Sequence, residues 1–287
     1  MKKEKINLVY WDVVSNFGDL LSPFIVDRIL KGKYQIVHKN TCRSTYLQWL
    51  KVILKLTFHY HKSDTVDFLK PYEKSLFAIG SILTYANKKS IIWGTGFMNE
   101  NDDYAGGIVR ALRGRLSNKK VMESGGKGCD VFGDPALLLP LFVSPSHDKK
   151  YSLCIIPHIS EYNAFKQKYG DIYRVIDLNS KNIEEVVVQI TSCKAVLSTS
   201  LHGIIVAHAY GIPAIWIKAT DVNNDFKFHD YFSSVNIRPY TGFRNYEEVI
   251  DNENLRNELL ESDIALPNID MPKLRQSLLN AFPYDLL

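Results

Sequence analysis

The sequence predicts an α/β protein with two lobes, each built on a mostly parallel sheet that faces a cleft. Short apolar strands end in glycine-containing turns and lead into helices, which is typical of open parallel sheets. This alternation occurs twice, on either side of a polar stretch at 144–150. The 287 residues also suit two domains of about 150 residues each. We expect a first lobe over 1–143 and a second over 151–287.

The first lobe begins with a predicted strand at 6–10, a polar loop and a helix over 20–30. Apolar, β-rich segments predict the remaining strands of this lobe at 75–79, 90–93, 108–112 and 129–132. Most of these segments end at a glycine turn. Ligands bind at the carboxyl ends of strands in such sheets, so these turns are candidate site positions.

The second lobe repeats the pattern. Its predicted strands lie at 152–156, 173–176, 195–198 and 214–217, and its predicted helices at 160–169, 183–193 and 202–210. The uncharged stretch 195–217 has the 23-residue length of a membrane span. It contains serines, two histidines, glycines and a proline, which favour a buried strand–helix–strand unit. We expect the last helix to pack back on the first lobe.

Composition excludes several classes of protein. The 35 Lys and Arg against 31 Asp and Glu leave a net charge of +4, too small for a dedicated nucleic-acid binder. The four cysteines form no CxxC pair, so we expect reduced, mostly buried thiols and no zinc or redox site. The apolar run near the N-terminus is too short for a signal peptide, which favours a cytoplasmic location.

One segment, 28–63, contains eight basic and no acidic residues. Within it, 46–58 predicts an amphipathic basic helix, which is typical of a peripheral contact with anionic lipid at the inner face of a membrane. The alternative is an ordinary helix that packs its Leu and Ile face on the core and exposes its lysines.

The most informative segment is 198–213. A predicted strand ends near Ser198, and Ser200, His202 and Gly203 follow in the turn and the first helical turn. Free backbone N–H groups and the helix dipole favour an anion there. His202 can protonate, or donate a hydrogen bond to, a phosphate or carboxylate. The alternative is a capped helix with a satisfied histidine.

Two further groups follow predicted strands of the first lobe. Asn16 and Asp19 flank Gly18, which permits a close backbone approach, and their side chains suit a sugar hydroxyl or a helix cap. Arg110, Arg113 and Arg115 form an arginine-rich turn. Guanidinium groups match carboxylates and phosphates, although solvated arginines are an equal alternative.

These motifs together resemble polysaccharide pyruvyl transferases. The resemblance covers about residues 6–235 and rests on the order of the set, in which the Ser-Leu-His-Gly block is the most specific. The motifs are Asn16-Phe-Gly-Asp19, Arg113-Gly-Arg-Leu-Ser117, Gly133-Asp-Pro135, Ile156-Pro-His158, Ser198-Thr-Ser-Leu-His-Gly203, Gly211-Ile-Pro213 and Lys227-Phe-His-Asp-Tyr231.

The resemblance implies a fold similar to the two-lobed GT-B glycosyltransferases. It also implies transfer of pyruvate from phosphoenolpyruvate to a sugar of a cell-surface polysaccharide or its lipid-linked precursor, giving a cyclic ketal. His202 corresponds to the family's essential histidine near phosphoenolpyruvate, and Arg113 to the arginine of its Arg-Gly turn. Which arginine of 110–115 binds the carboxylate is left open.

We therefore assign the donor side to the second lobe and the acceptor side to the first. His202 is the candidate for phosphate binding or proton transfer, and Asp230 is the candidate base. The expected donor-binding residues are Arg113, His158, Ser200, Gly203, Lys218 and Lys227. Asn16 and Asp19 are the expected acceptor-binding residues. The chemistry demands no metal and no cofactor.

Two other functions suit the same features. A glycosyltransferase that uses a nucleotide sugar would place a diphosphate at the same helix terminus. A non-catalytic carbohydrate-binding protein would retain the cleft without the chemistry. The expected partners in the preferred interpretation are phosphoenolpyruvate, a sugar acceptor that is lipid-linked or polymeric, and a membrane surface at 28–63, with no nucleic acid.

Overall fold

The computed structural model describes residues 3–12, 15–41, 45–59, 68–220 and 225–287, without the side chains of 55–59. Within these residues the first half forms a five-stranded parallel sheet in the order β2-β1-β3-β4-β5. Its strands are β1 (Lys5–Val9), β2 (Gln35–Lys39), β3 (Ser75–Phe77), β4 (Ser90–Trp93) and β5 (Ile108–Ala111). Its helices are α1 (Phe17–Leu30), α2 (Tyr46–His59) and α3 (Arg115–Glu123).

The second half forms a four-stranded parallel sheet in the order β7-β6-β8-β9. Its strands are β6 (Tyr151–Ile156), β7 (Arg174–Val175), β8 (Cys193–Ser198) and β9 (Ala214–Trp216). The helices are α4 (Tyr162–Tyr169), α5 (Ile183–Thr191), α6 (Leu201–Ala209), α7 (Asp225–Ser234), α8 (Tyr246–Asp251), α9 (Glu253–Glu261) and α10 (Met271–Asn280). Two parallel sheets with helical crossovers confirm the predicted α/β class with two Rossmann-like lobes.

Two strand predictions of the first lobe need correction. Strand β2 was not predicted, because it is an edge strand whose residues are mostly half-exposed and no glycine turn follows it. The predicted strand at 129–132 forms only an isolated bridge between Leu112 and Phe132. The first helix begins at Phe17 rather than at 20, since the Asn16 side chain caps it by accepting from the Gly18 N–H.

The cysteine expectation is wrong for one pair. Cys154 in β6 and Cys193 in β8 form a disulfide, with their Cα atoms 5.9 Å apart. The two strands are neighbours in the second sheet, which the 39-residue separation in sequence does not show. Cys129 is a free thiol whose pKa is raised to about 11, chiefly because burial disfavours the thiolate. Cys42 lies outside the described residues.

The basic segment 28–63 is only partly described. The predicted helix is present as α2, and its described side chains include the exposed Tyr46 and Leu47. Residues 42–44 and 60–63, which include Arg43 and Lys62, lie outside the described residues. Across the described ranges, no helix combines the length and apolar character needed to cross a membrane.

One apolar core extends through both lobes. Helix α1 of the first lobe packs against α5 and α6 of the second, with a 3-10 helix (Pro135–Leu141) between them. Helix α10 lies against the first lobe, where Trp93 Nε1 donates to the Leu278 carbonyl at 2.9 Å. The stretch 195–217 forms the buried unit β8-α6-β9, as expected.

At two glycines the lobes approach too closely for a side chain. A Cβ atom at Gly18 in α1 would lie 2.0 Å from Nδ1 of His202 in α6. A Cβ atom at Gly114, just before α3, would lie 1.7 Å from the main-chain oxygen of Asp230 in α7. Since no side chain fits at these distances, both contacts depend on glycine.

Beside Gly114 a buried ion pair links the lobes. Arg113 Nε donates to Asp230 Oδ2 at 3.0 Å, and the exposed fractions of the two side chains are 1% and 0%. Ser117 at the start of α3 donates to the same carboxylate from its N–H at 2.7 Å and its hydroxyl at 2.6 Å. The carboxylate is thereby fully engaged inside the protein.

We predict that Asp230→Asn lowers the free energy of unfolding by about 3–5 kcal/mol, because it leaves the Arg113 guanidinium buried without a counter-charge. Urea denaturation measures this loss. The matched control is Asp263→Asn, which removes an exposed carboxylate 3.0 Å from Arg238 Nε and should change stability by less than about 1 kcal/mol. Equal effects of the two substitutions would contradict the structural role of the buried pair.

Candidate active site

A cavity of about 450 Å³ lies between the lobes, at the carboxyl ends of strands from both sheets. It follows β1 and β3 of the first lobe and β6 and β8 of the second, where such folds bind ligands. Six of the residues predicted for the site line it: Asn16, Asp19, His158, Ser200, His202 and Lys227.

The turn between β8 and α6 presents the helix N-terminus to this cavity. Ser198 holds the turn, because its hydroxyl donates to the Ile156 carbonyl at 2.6 Å and accepts from the Ser200 N–H at 3.0 Å. The Ser200 side chain makes no capping hydrogen bond and lines the cavity. The first N–H groups of α6 are therefore available to an anion.

Gly203 contributes space rather than a contact with the cavity. A Cβ atom there would lie 2.5 Å from the Ser198 hydroxyl and 2.9 Å from Ile156 Cγ2. The glycine thus lets α6 pack directly on the strand ends.

His202 is the largely buried histidine of the cavity wall. The Nδ1 edge of its ring faces Gly18, beside the cavity residues Asn16 and Asp19. Its Nε2 atom is buried, lies 3.9 Å from Oδ2 of Asp134 and has no hydrogen-bond partner. Burial lowers the pKa of His202 to about 3, and the positive charges of Lys227 and Arg113 are smaller causes of the same shift. The imidazole is therefore neutral at pH 7.

On the opposite wall, Asn16 and Asp19 form one hydrogen-bonded unit. Asn16 Oδ1 accepts from the Gly18 N–H at 3.1 Å, and its Nδ2 donates to Asp19 Oδ2 at 2.8 Å. Burial raises the pKa of Asp19 to about 6, against the opposing effects of Asn16 and Lys227. Capping and ligand contact, the two predicted roles, are compatible because Asn16 caps α1 while both side chains face the cavity.

Lys227, in the first turn of α7, is the cation of the cavity. Burial and the charge of Arg113 lower its pKa to about 8, partly offset by Asp19 and by two other carboxylates. The ammonium group is therefore mostly charged at pH 7 and loses its proton near pH 8, and a bound anion would favour its charged form.

His158 and Lys218 border a smaller cavity of about 170 Å³, which shares His158 and Lys227 with the larger one. The His158 N–H donates to Thr199 Oγ1 at 2.7 Å, and burial is the main cause that lowers the pKa of its imidazole. Lys218 does not line the main cavity, and its ammonium group is paired with Asp225.

None of the three arginines of 110–115 lines the main cavity. Arg113 is the nearest, since its Nη1 donates at 2.6 Å to the hydroxyl of Ser81, which does line it. Arg110 pairs with Asp285, and Arg115 donates to Ser233. Asp230, the expected base, is enclosed with Arg113 behind the cavity wall.

The sequence interpretation gave no role to several residues of the site. Asp134 belongs to the motif Gly133-Asp-Pro135, and Ser81 belongs to the glycine turn after the predicted strand at 75–79. Neither was chosen as a site residue. Asn99 and Asp102 also line the cavity, on a loop that Asp102 Oδ2 closes by accepting two main-chain N–H groups at 2.9 Å. No sequence signal marks that loop.

In the part of the chain that the structure describes, no three metal-ligating side chains form a cluster.

Two comparisons find similar proteins over most of the chain. A protein of Acanthamoeba polyphaga mimivirus, described as uncharacterized, is 29% identical over 283 residues, covering 94% of this chain and 86% of that protein. The solved structure of a variant of the wall teichoic acid polymerase TagF is 11% identical, with a TM-score of 0.46. The alignment covers 99% of this chain and 89% of that one.

The third comparison identifies the family. The family profile described as polysaccharide pyruvyl transferase matches residues 16–219, which are more than two thirds of the chain. The match begins at Asn16 of the cavity and includes His202 with the turn before it. The chain therefore belongs to the polysaccharide pyruvyl transferase family.

Proposed function

We propose that this transferase moves pyruvate from phosphoenolpyruvate to a sugar, forming a cyclic ketal and releasing phosphate. Membership of the family supports the reaction class. The observation that carries the proposal is that the two lobes line the cavity with different chemical groups. Anion-binding groups come from the second lobe, and a hydrogen-bonded carboxylate and amide come from the first.

The second lobe suits the donor, which carries a phosphate and a carboxylate. In the proposal, the N-terminus of α6 and Lys227 bind these anionic groups, with His202 beside them. Arg113 adds positive potential from behind Ser81 without touching the ligand. Lys218 and His158 contribute from the adjoining cavity, and Gly203 sets the position of α6.

The first lobe suits the acceptor. Asn16 and Asp19 can hydrogen-bond to sugar hydroxyls, and the Asp19 carboxylate is ionised above its pKa of about 6. An ionised carboxylate with a pKa near the working pH is an effective general base. The proposal therefore gives the role of base to Asp19, since Asp230 is enclosed in its ion pair with Arg113.

The reaction balances with these groups. A proton from His202 adds to the methylene carbon of phosphoenolpyruvate, whose π electrons form the new C–H bond. A sugar hydroxyl attacks the carbon that bears the phosphate and gives its proton to Asp19. A second hydroxyl then displaces phosphate, which leaves with the electron pair of the C–O bond and takes the proton held by Asp19. The proton of the second hydroxyl restores His202.

The acceptor in this proposal belongs to a cell-surface polysaccharide or its lipid-linked precursor, and the protein works in the cytoplasm at the inner face of the membrane. Support comes from the acid-free segment 28–63 and from α2, which exposes Tyr46 and Leu47. Basic helices with exposed apolar residues bind anionic lipid surfaces.

Thermal denaturation with phosphoenolpyruvate or with UDP-, GDP- and CMP-sugars tests the donor. We expect phosphoenolpyruvate alone to stabilise the protein, by about 2.7 kcal/mol at 100 times its Kd. Stabilisation by a nucleotide sugar alone would instead support a glycosyltransferase. A protein that responds to neither ligand would be a carbohydrate-binding protein without this chemistry.

We predict that Asp19→Asn lowers the rate of phosphate release by about 10²–10⁴-fold, the usual contribution of a general base. Stability at pH 7.5 should not fall, because the folded-state pKa of about 6 lies above the ordinary aspartate pKa of 3.8 and ionised Asp19 is therefore unfavourable in the folded state. The control is Asp27→Asn, at an exposed position of the same helix. Unchanged turnover in Asp19→Asn would exclude Asp19 as the base.

We predict that the affinity for phosphoenolpyruvate falls as the pH rises through about 8, because Lys227 loses its proton in that range. Isothermal titration calorimetry from pH 6.5 to 9.5 measures the change. Lys227→Met should bind weakly throughout and lose this pH step, whereas the exposed Lys166→Met should retain it. A step of equal size in Lys227→Met would assign it to another group.

A further inference from the structure

The carboxylate of Asp134 and the ring of His202 face each other without the usual partners. Asp134 Oδ2 and His202 Nε2 are 3.9 Å apart, and both atoms are buried with no hydrogen-bond partner. Buried polar atoms in folded proteins nearly always have a hydrogen-bond partner. Two unpaired atoms that face each other therefore require an explanation, and a functional role is one. The proposed roles of the cavity residues do not use Asp134.

The first oxygen of Asp134 is already fixed. Asp134 precedes the 3-10 helix, and its Oδ1 accepts from the Ala136 N–H at 2.9 Å. The next residue, Pro135, lies where a Cβ atom on Gly94 would come within 2.3 Å of its Cδ atom. The carboxylate is therefore held on a tightly packed turn, with Oδ2 directed at His202.

We infer that Asp134 is the positioning residue of His202: it accepts a hydrogen bond from Nε2–H and so holds the Nδ1 edge of the ring at Gly18, beside Asn16 and Asp19 of the cavity. The inference rests on the proposed pyruvyl transfer for its kinetic consequence, but the tautomer that it assigns is independent of the reaction. The 3.9 Å separation exceeds a hydrogen bond, and catalytic hydrogen bonds often shorten when the substrate binds.

The charges around the pair explain why a positioning carboxylate is needed. Lys227 and Arg113 disfavour a protonated His202, whereas Asp134 is the carboxylate closest to Nε2 and Asp230 lies behind it. Asp19 faces the same cavity from α1. With the dianionic phosphate of the donor present, the Asp134 carboxylate adds a negative charge beside Nε2, which lets the ring carry a proton on each nitrogen.

The consequence for the reaction is a defined direction of proton transfer. The Nδ1–H of the doubly protonated ring supplies the proton that forms the new C–H bond on the donor. The ring returns to the neutral form with its remaining proton on Nε2, hydrogen-bonded to Asp134. A carboxylate that orients a histidine in this way selects one tautomer, and replacement by an amide favours the other.

Nitrogen NMR of the ¹⁵N-histidine-labelled protein tests the tautomer, with and without phosphoenolpyruvate. The resonances of His202 are assigned by their loss in His202→Gln. We expect a proton on Nε2 in the wild type and on Nδ1 in Asp134→Asn. The exposed Asp130→Asn, four residues earlier in the chain, should resemble the wild type. The same tautomer in the wild type and in Asp134→Asn would overturn the inference.

Kinetics and stability complete the test. Asp134→Asn should lower kcat by about 100-fold, a typical loss for impaired proton transfer, with KM for phosphoenolpyruvate unchanged. Its melting temperature at pH 8 should not fall, because burial raises the pKa of Asp134 to about 6 and the ionised form is unfavourable in the folded state. A lower melting temperature with kcat preserved would make Asp134 merely structural. If phosphoenolpyruvate is not a substrate, the NMR result still decides the inference.

Discussion

The buried ion pair between Arg113 and Asp230 is the interaction on which the cavity depends. It fastens α7 of the second lobe to the end of β5 in the first, where Gly114 leaves no room for a side chain. Lys227 lies one turn earlier in α7, so its position in the cavity follows from this attachment. The guanidinium also holds Ser81 in the cavity wall. A charge pair that is closed to solvent thus sets the geometry of both walls.

Burial has a second effect, on the protonation of the cavity. It raises the pKa of Asp19, lowers the pKa of Lys227 and keeps His202 neutral, so the empty site carries less charge than its residues suggest. A dianionic ligand would reverse this balance by favouring the protonated forms of Lys227 and His202. Ligand binding and readiness for proton transfer are therefore coupled through the same few groups.

The sequence predicted the fold class and most strands because glycine turns mark the carboxyl ends of parallel strands. It also predicted six residues that line the cavity, since five of them follow a strand and Lys227 belongs to the motif at 227–231. It did not show that Asp230 would be enclosed by Arg113, or that Asp134 would face His202, because these contacts join elements from different parts of the chain. The disulfide between Cys154 and Cys193 was missed for the same reason, because the spacing of residues in the sequence does not show which strands are neighbours in a sheet.

In the proposed reaction, this cavity protonates the methylene carbon of phosphoenolpyruvate and transfers the resulting group to a sugar. The most direct measurement is the NMR spectrum of the product formed in deuterium oxide from phosphoenolpyruvate labelled with ¹³C at that carbon, with methyl hexosides and lipid-linked sugars as acceptors. We expect a ketal methyl group that carries one deuterium. A sugar product that keeps the methylene group would show that this carbon is not protonated and would contradict ketal formation.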